Sequence, residues 1–342
     1  MIPSKENVLE ILKNVVCFPK GDNIVSLNMV DDIRTDEWLI RFNLVVDDPK
    51  DEKNRFMMEA AQKLLNDEYG GVTVEIMPVP ARDNVLAKVK HIILVASGKG
   101  GVGKSTVAVN LAVGLASQGM NVGLLDADIY GPSVPVMFGI EGVQPEAYER
   151  DGRTFMVPVT RYGVKIMSIG NMVGENTPLI WRGPMASSAL NQLMTETDWG
   201  EIDYMVVDMP PGTGDIQISL AQNYHVDGAV IVTTPQKVAA ADVRRAAMMF
   251  KHKGVDVPVL GLVENMAYFT PSDMPDKKYF IFGHGNGQKF AEELGVKLLG
   301  QIPIDENVAS AGDEGKPFRF GSFSPVTVAF EKLAKTIIEM VK

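Results

Sequence analysis

Cysteine is nearly absent from this sequence: Cys17 is the single thiol in 342 residues. That excludes an intramolecular disulfide and any all-cysteine metal site made within one chain. Basic residues are outnumbered, with 33 Lys and Arg against 43 Asp and Glu. The formal charge of -10 gives no general attraction to nucleic acid or anionic membrane, so neither is expected as a partner. Long apolar runs are missing too. Stretches such as Ile92 to Ala96 and Gly228 to Val232 fall well short of the roughly 20 residues that span a bilayer. Met1 to Asn7 show no basic stretch followed by an apolar segment, so secretion is not expected and the chain is predicted to be cytoplasmic.

What is present is enough apolar material, 46% of residues, to bury a sizeable core. Val8, Leu9, Leu12 and Val15 fall at helical spacing, and Trp38 to Val46 alternates like a strand. Phe56, Met57, Ala60, Leu64 and Leu65 resume the helical period, and Val72 to Ile76 forms a second alternating strand. Residues 1–80 therefore read as a small α+β domain. Pro78 and Pro80, followed by Ala81-Arg82-Asp83-Asn84, have linker composition, and residues 81–90 are assigned as the linker. Beyond it, continuous apolar runs recur between helical patterns: Ile92 to Ala96, Val122 to Leu125, Tyr204 to Val207, Ala229 to Val232, Val259 to Val263 and Leu298 to Ile302. Runs of this kind suit strands buried on both faces of a parallel sheet. Residues 91–342 are thus expected to form a doubly wound α/β domain with a mostly parallel sheet.

The run Ile92 to Ala96 leads into Ser97-Gly98-Lys99-Gly100-Gly101-Val102-Gly103-Lys104-Ser105-Thr106, then into Val107, Leu111 and Leu115 at helical spacing. Strand, glycine-rich loop and helix make a P-loop. Glycines let successive backbone N–H groups turn toward a phosphate, and the helix start adds its partial positive charge. In that arrangement Lys104 reaches the β- and γ-phosphates of ATP, and the Ser105 hydroxyl joins a Mg²⁺ shell made otherwise of phosphate oxygens and water. Asp126-Ala127-Asp128 follows a second apolar run, and Asp208 follows a third, leading into Met209-Pro210-Pro211-Gly212-Thr213-Gly214-Asp215. Carboxylates at the C-terminal ends of such strands face the ligand edge of an open α/β sheet.

Lys99 to Thr106 resembles the deviant Walker A signature of the MinD/ParA/ArsA class, with its extra lysine before the glycine pair. Asp126 to Ser133, Trp181-Arg182-Gly183-Pro184-Met185, Asp208 to Asp215 and Glu264-Asn265-Met266 resemble the Mrp/ApbC branch of that class, the iron-sulfur cluster carrier ATPases. The likeness runs over most of residues 90–320. Residues 5–78 resemble the small MIP18-type domain fused ahead of such ATPases. The resemblance implies an ATP-sandwich homodimer working with iron-sulfur client or scaffold proteins, in which Lys99 crosses to the partner's phosphates as an arginine finger does. It also implies that Asp128 orients or activates water, that Asp126 and Asp208 serve the Mg²⁺ shell, and that Gly212 offers its N–H to the γ-phosphate. Asn265 is expected to read the adenine edge, with the loop around Pro303 near the base.

One departure concerns the cargo. Many members of this branch carry a Cys-Pro-x-Cys pair shortly after the Asn-Met, whereas Thr270 and Asp273 flank Pro271 in this sequence. Neither supplies a thiolate. Asp47-Asp48-Pro49-Lys50-Asp51 stands where relatives place a cysteine in the small domain, and Cys17 and His284 read as non-ligands. Cluster binding of the usual kind is therefore expected to be absent or much weakened, and no iron-sulfur ligand is identified.

Two other readings remain at this stage. One is a MinD- or ParA-like positioning ATPase, for which the amphipathic segment Val326 to Lys342 is a conceivable membrane helix and Arg244-Arg245 the nearest DNA cue. The other is a P-loop kinase, to which the Lys99 signature lends less support.

Overall fold

A computed structural model of the chain describes residues 3–18, 20–27, 29–46, 49, 51–80, 85–150, 152–172, 183–271, 273–274, 276–317 and 324–342. The backbone divides into two compact units, Met1–Asn84 and Val85–Lys342.

In the smaller unit, the Ser4 hydroxyl accepts the Asn7 N–H at 3.3 Å and so starts α1 (Lys5–Leu12). A three-stranded sheet follows, of β1 (Val30–Thr35), β2 (Leu39–Val46) and β3 (Thr73–Pro80), with α2 (Asn54–Glu68) between β2 and β3. Ile40, Phe42, Leu44 and Val46 alternate inward along β2 and meet Val8, Leu12, Ala61 and Leu65 of the two helices. Cys17 lies in this core, 3% exposed. The prolines of linker-like composition lie in a strand, and the second half of residues 81–90 is regular structure. Pro78 and Pro80 belong to β3, which pairs in parallel with β2 from Leu39↔Thr73 to Val46↔Pro80. They are tolerated because β3 is a sheet edge, where a missing N–H breaks no ladder bond. Residues 85–90 form a 3₁₀ turn (Val85–Lys88) and the first residues of the next strand, while Ala81 to Asn84 lie outside the described residues.

The larger unit is built on an eight-stranded sheet. In chain order its strands are β4 (Val89–Ala96), β5 (Val122–Asp126), β6 (Val159–Arg161), β7 (Val164–Ser168), β8 (Ile202–Asp208), β9 (Gly228–Thr233), β10 (Val259–Glu264) and β11 (Lys297–Gln301). The spatial order is β6-β7-β5-β8-β4-β9-β10-β11, parallel throughout except the β6–β7 pair. Six strands are the apolar runs of the sequence. The two unforeseen ones, β6 and β7, are short and carry Arg161 and Lys165, so they lack an uninterrupted apolar signal.

Helices cover both faces, because alternate residues of each strand point to opposite sides. Ile93 and Val95 face α3 (Lys104–Ser117) and α8 (Pro325–Met340). Ile92, Leu94 and Ala96 face α4 (Gly183–Thr195), α5 (Asp215–Asn223), α6 (Ala239–Phe250) and α7 (Asn286–Leu294). This is the doubly wound α/β architecture.

The amphipathic C-terminal segment is α8. Ser324 caps it through the Thr327 N–H at 3.2 Å, and Pro325 occupies its first turn. Its apolar face, Val326, Phe330, Leu333, Ala334 and Ile337, is buried in the core it shares with α3. Val328 of this helix is left 48% exposed, and no helix among the described residues is long and apolar enough to cross a bilayer. Phe330→Ala should therefore lower the unfolding free energy in urea by about 3 to 5 kcal/mol. Lys335→Ala, on the exposed face, should change it by less than about 0.5 kcal/mol. Equal small effects would mean that the helix is not docked.

Candidate nucleotide site

The parallel register brings the chemistry to one edge of the sheet. Asp126 and Asp208 are paired positions at the C-terminal ends of neighbouring β5 and β8, and Asp208 is also level with Val95 of β4. Loop 97–103 leaves β4 beside them and enters α3. Gly101 and Gly103 both adopt positive φ, 79° and 80°. Gly103 has a second reason to lack a side chain, since a Cβ there would stand 2.2 Å from Asn265 Nδ2. Only glycine allows the loop to lie so close to β10's exit.

Lys104, the first residue of α3, is 6% exposed. Its ammonium donates to Asp208 Oδ1 at 2.6 Å and to Ser105 Oγ at 3.2 Å, and lies 3.4 Å from Asp128 Oδ2. Asp208 is fully buried, and burial raises its carboxyl above the ordinary range even though Lys104 pulls the other way. The neighbouring Ser105 hydroxyl also favours its charged form. Nevertheless Asp208 Oδ2 accepts no hydrogen bond of ordinary geometry, leaving a buried acceptor unsatisfied.

Asp126 stands behind this pair. Its Oδ2 accepts from Ser168 Oγ at 2.8 Å and its Oδ1 from the Asp128 N–H at 3.1 Å. Burial, and then the charge of Asp208, push its carboxyl up to about 7. Two carboxylates thus meet one ammonium, with a third behind them. Among the described residues no three His, Cys, Asp or Glu side chains converge as a metal cage. The Ser105 hydroxyl and these carboxylates are hard oxygen donors, of the kind Mg²⁺ takes directly or through water. Ser168 was not anticipated. It ends β7 level with Asp126, a position legible only once that strand is recognised.

Two hollows adjoin the loop. The smaller, about 220 Å³, is lined by Gly100, Gly101, Gly103, Lys104, Ser105 and Asp128 among others. The larger, about 640 Å³, is lined by Asn265, Met266, Ile302, Pro303, Ile304 and Val308 among others, and shares Gly103 and Thr106 with the first. Their sizes suit a triphosphate and a base. Pro303 and Asn265 both line the larger hollow.

Asn265 differs in one respect from expectation. Its Nδ2 donates to the Val102 carbonyl at 2.9 Å, so the amide props the loop and only its Oδ1 faces elsewhere. Gly212 differs more. Its N–H, expected to meet the γ-phosphate, donates to the Ser97 carbonyl at 3.0 Å, and so does not face the phosphate hollow in this conformation. Gly98 lies against the Asp242 backbone of α6. Lys99 is half-buried and makes no ion pair among the described residues, while its carbonyl accepts from Ser97 Oγ at 2.8 Å.

The remaining positions lie away from this site or outside the description. Trp181 and Arg182 are outside the described residues, and Met185, in the first turn of α4, is half exposed. Asp47, Asp48 and Lys50 are likewise outside. Thr270 is half-buried and Asp273 exposed. Arg244 pairs with Glu293 at 2.6 Å and Arg245 pairs with Asp242, so both charges are taken up locally.

Comparison with known proteins agrees with this geometry. A family profile described as "ParA: NUBPL iron-transfer P-loop NTPase" matches residues 88–338. The iron-sulfur cluster carrier protein of Aquifex aeolicus is 54% identical over 259 residues, 74% of this chain and 69% of that protein. That of Synechocystis is 43% identical over 319 residues, 91% of this chain and 90% of its own. A nucleotide-binding protein from Archaeoglobus fulgidus, solved in complex with ADP, is 36% identical with a TM-score of 0.61, covering 73% of this chain and 96% of its own. By profile, identity and fold together, the chain belongs to the ParA-type, NUBPL iron-transfer P-loop NTPase family, among relatives named iron-sulfur cluster carrier proteins.

Proposed function

We propose that the chain binds ATP with Mg²⁺, hydrolyses it to ADP and phosphate as a homodimer, and serves iron-sulfur cluster assembly or transfer with client or scaffold proteins as partners. The observation that carries this reading is the buried Lys104 ammonium, poised between Asp208 and Asp128 at the start of α3 and beside a base-sized hollow.

The residues divide the work as follows. Gly98 to Thr106 wrap the phosphates, with Lys104 exchanging its carboxylate partners for the β- and γ-phosphates. Mg²⁺, when bound, supplies charge neutralisation at the phosphate oxygens, and Ser105, Asp208 and, from behind, Asp126 would hold it. Asp128 orients a water for in-line attack and accepts its proton, as the bond between the γ-phosphorus and the β–γ bridging oxygen breaks. Gly212 meets the γ-phosphate only after releasing Ser97, which makes that hydrogen bond a nucleotide-sensitive switch. Asn265, with its amino group tied to Val102, offers the base an acceptor, which suits the 6-amino group of adenine. Lys99 acts across the dimer on the partner's phosphates.

The donor set around Pro271 does not fit the cargo. A hydroxyl and a carboxylate stand at Thr270 and Asp273, and the one thiol, Cys17, is buried in the other unit. No transfer step is assigned to these residues.

Three outcomes test the reading. Lys99→Ala should slow ATP turnover by about three orders of magnitude while equilibrium dialysis still detects ATP binding. Wild-type turnover in that variant removes the trans-lysine role. Protein purified anaerobically should contain iron and sulfide well below one cluster per dimer, and near-stoichiometric content would restore a cluster site.

The third test concerns pH. Asp126 holds its proton in the fold up to about 7, against 3.8 when unperturbed. The folded form therefore binds the extra proton between those values, and this group's contribution to stability declines as pH rises through that window. The melting temperature of the nucleotide-free protein should fall more steeply from pH 5.5 to 7.5 than that of Asp126→Asn. Parallel curves for the two proteins would contradict the assignment.

A further inference from the structure

Glu264 ends β10 with 1% of its surface exposed, yet no cation pairs with it among the described residues. Both carboxylate oxygens are occupied by neutral donors. Oε1 accepts the Gly287 N–H of α7's first turn at 2.7 Å, and Oε2 accepts Gln301 Nε2 at 2.5 Å. The approach is close enough that a Cβ on residue 287 would stand 2.6 Å from the carboxylate. A buried carboxylate is costly unless it is fully hydrogen-bonded, so this one is held for what it positions.

Its partners are the supports of the base hollow. Gln301 leads directly into Ile302, Pro303 and Ile304, which wall that hollow. The Ile302 N–H donates to the Glu264 carbonyl at 2.9 Å, and the Ile304 N–H to the Tyr268 carbonyl at 2.7 Å. The next residue, Asn265, braces the P-loop through Val102. Between Asn265 and Asn286 the chain makes a loop whose ends Glu264 clamps together, one covalently and one through Gly287. Ile281 and Phe282 of this loop line the hollow from the other side. Met266, at its entry, is held at φ 56°, in the left-handed region that a methionine rarely adopts.

We propose that Glu264 is a positioning residue for the base: by tying Gln301 and Gly287 together it fixes both walls of the hollow, while none of its own hydrogen bonds reaches the phosphate loop. This rests on the nucleotide reading above. A carboxylate is needed because it accepts on both oxygens, whereas a carboxamide accepts on one only.

The test compares ATP with inorganic tripolyphosphate, which occupies the phosphate hollow and has no base. Glu264→Gln should raise the KM for ATP about tenfold, equivalent to about 1.4 kcal/mol, with kcat within about twofold. The inhibition constant of tripolyphosphate should stay within about twofold of wild type. Adding Gln301→Glu to Glu264→Gln restores the count of donors and acceptors, since residue 264 then donates to residue 301 and accepts from Gly287. The double variant should recover most of the lost affinity. The proposal is overturned if ATP and tripolyphosphate weaken together, which marks a merely structural role, or if neither changes. It also fails if the exchange of residues rescues nothing while both variants melt like wild type. Absence of ATP and tripolyphosphate binding in the wild-type chain would instead sink the nucleotide reading itself.

Discussion

The ion pair between Lys104 and Asp208 sets the character of the whole site. Neither group is tolerable alone at this depth: an unpaired buried charge costs several kcal/mol, and removing one partner strands the other. The pair is possible because β8 ends in an acidic residue level with the end of β4, so that the first lysine of α3 descends onto it. Everything nearby is arranged around a surplus of negative charge. Asp128 sits 3.4 Å from the same ammonium, and Asp126 remains protonatable near neutrality.

Much of this was readable in the sequence, for a physical reason. Strands covered on both faces show as unbroken apolar runs, and the P-loop is a contiguous segment whose geometry depends on its own glycines. Asp126, Asp128 and Asp208 were legible because each terminates such a run. What escaped were features set by distant partners. The strand β6 is a three-residue rim strand with two residues exposed, the run of β7 is broken by Lys165, and Ser168 acquires meaning only beside Asp126. The roles of Asn265 and Gly212 follow from hydrogen bonds to Val102 and Ser97, which are more than a hundred residues away along the chain. Prolines 78 and 80 read as linker because composition cannot distinguish an edge strand from a spacer.

The family assignment and the cargo chemistry pull apart in an instructive way. Sheet, loop and acidic strand ends are those of the nucleotide-binding family, yet a half-buried Thr270 and an exposed Asp273 stand where thiolates would be needed. Neither a hydroxyl nor a carboxylate is the soft donor an iron-sulfur cluster takes.

The prolines of β3 carry a last implication. Along a strand, backbone N–H groups at alternate residues point the same way, so residues 78 and 80 share one direction. Because β3 keeps its pairing with β2 on the inner side through Val46↔Pro80, the missing donors fall on the outer rim. A neighbouring chain that tried to extend the sheet would find acceptors there without the donors it needs. That edge of the small unit is therefore shielded against strand-by-strand association by the same two residues that make its end resemble a tether.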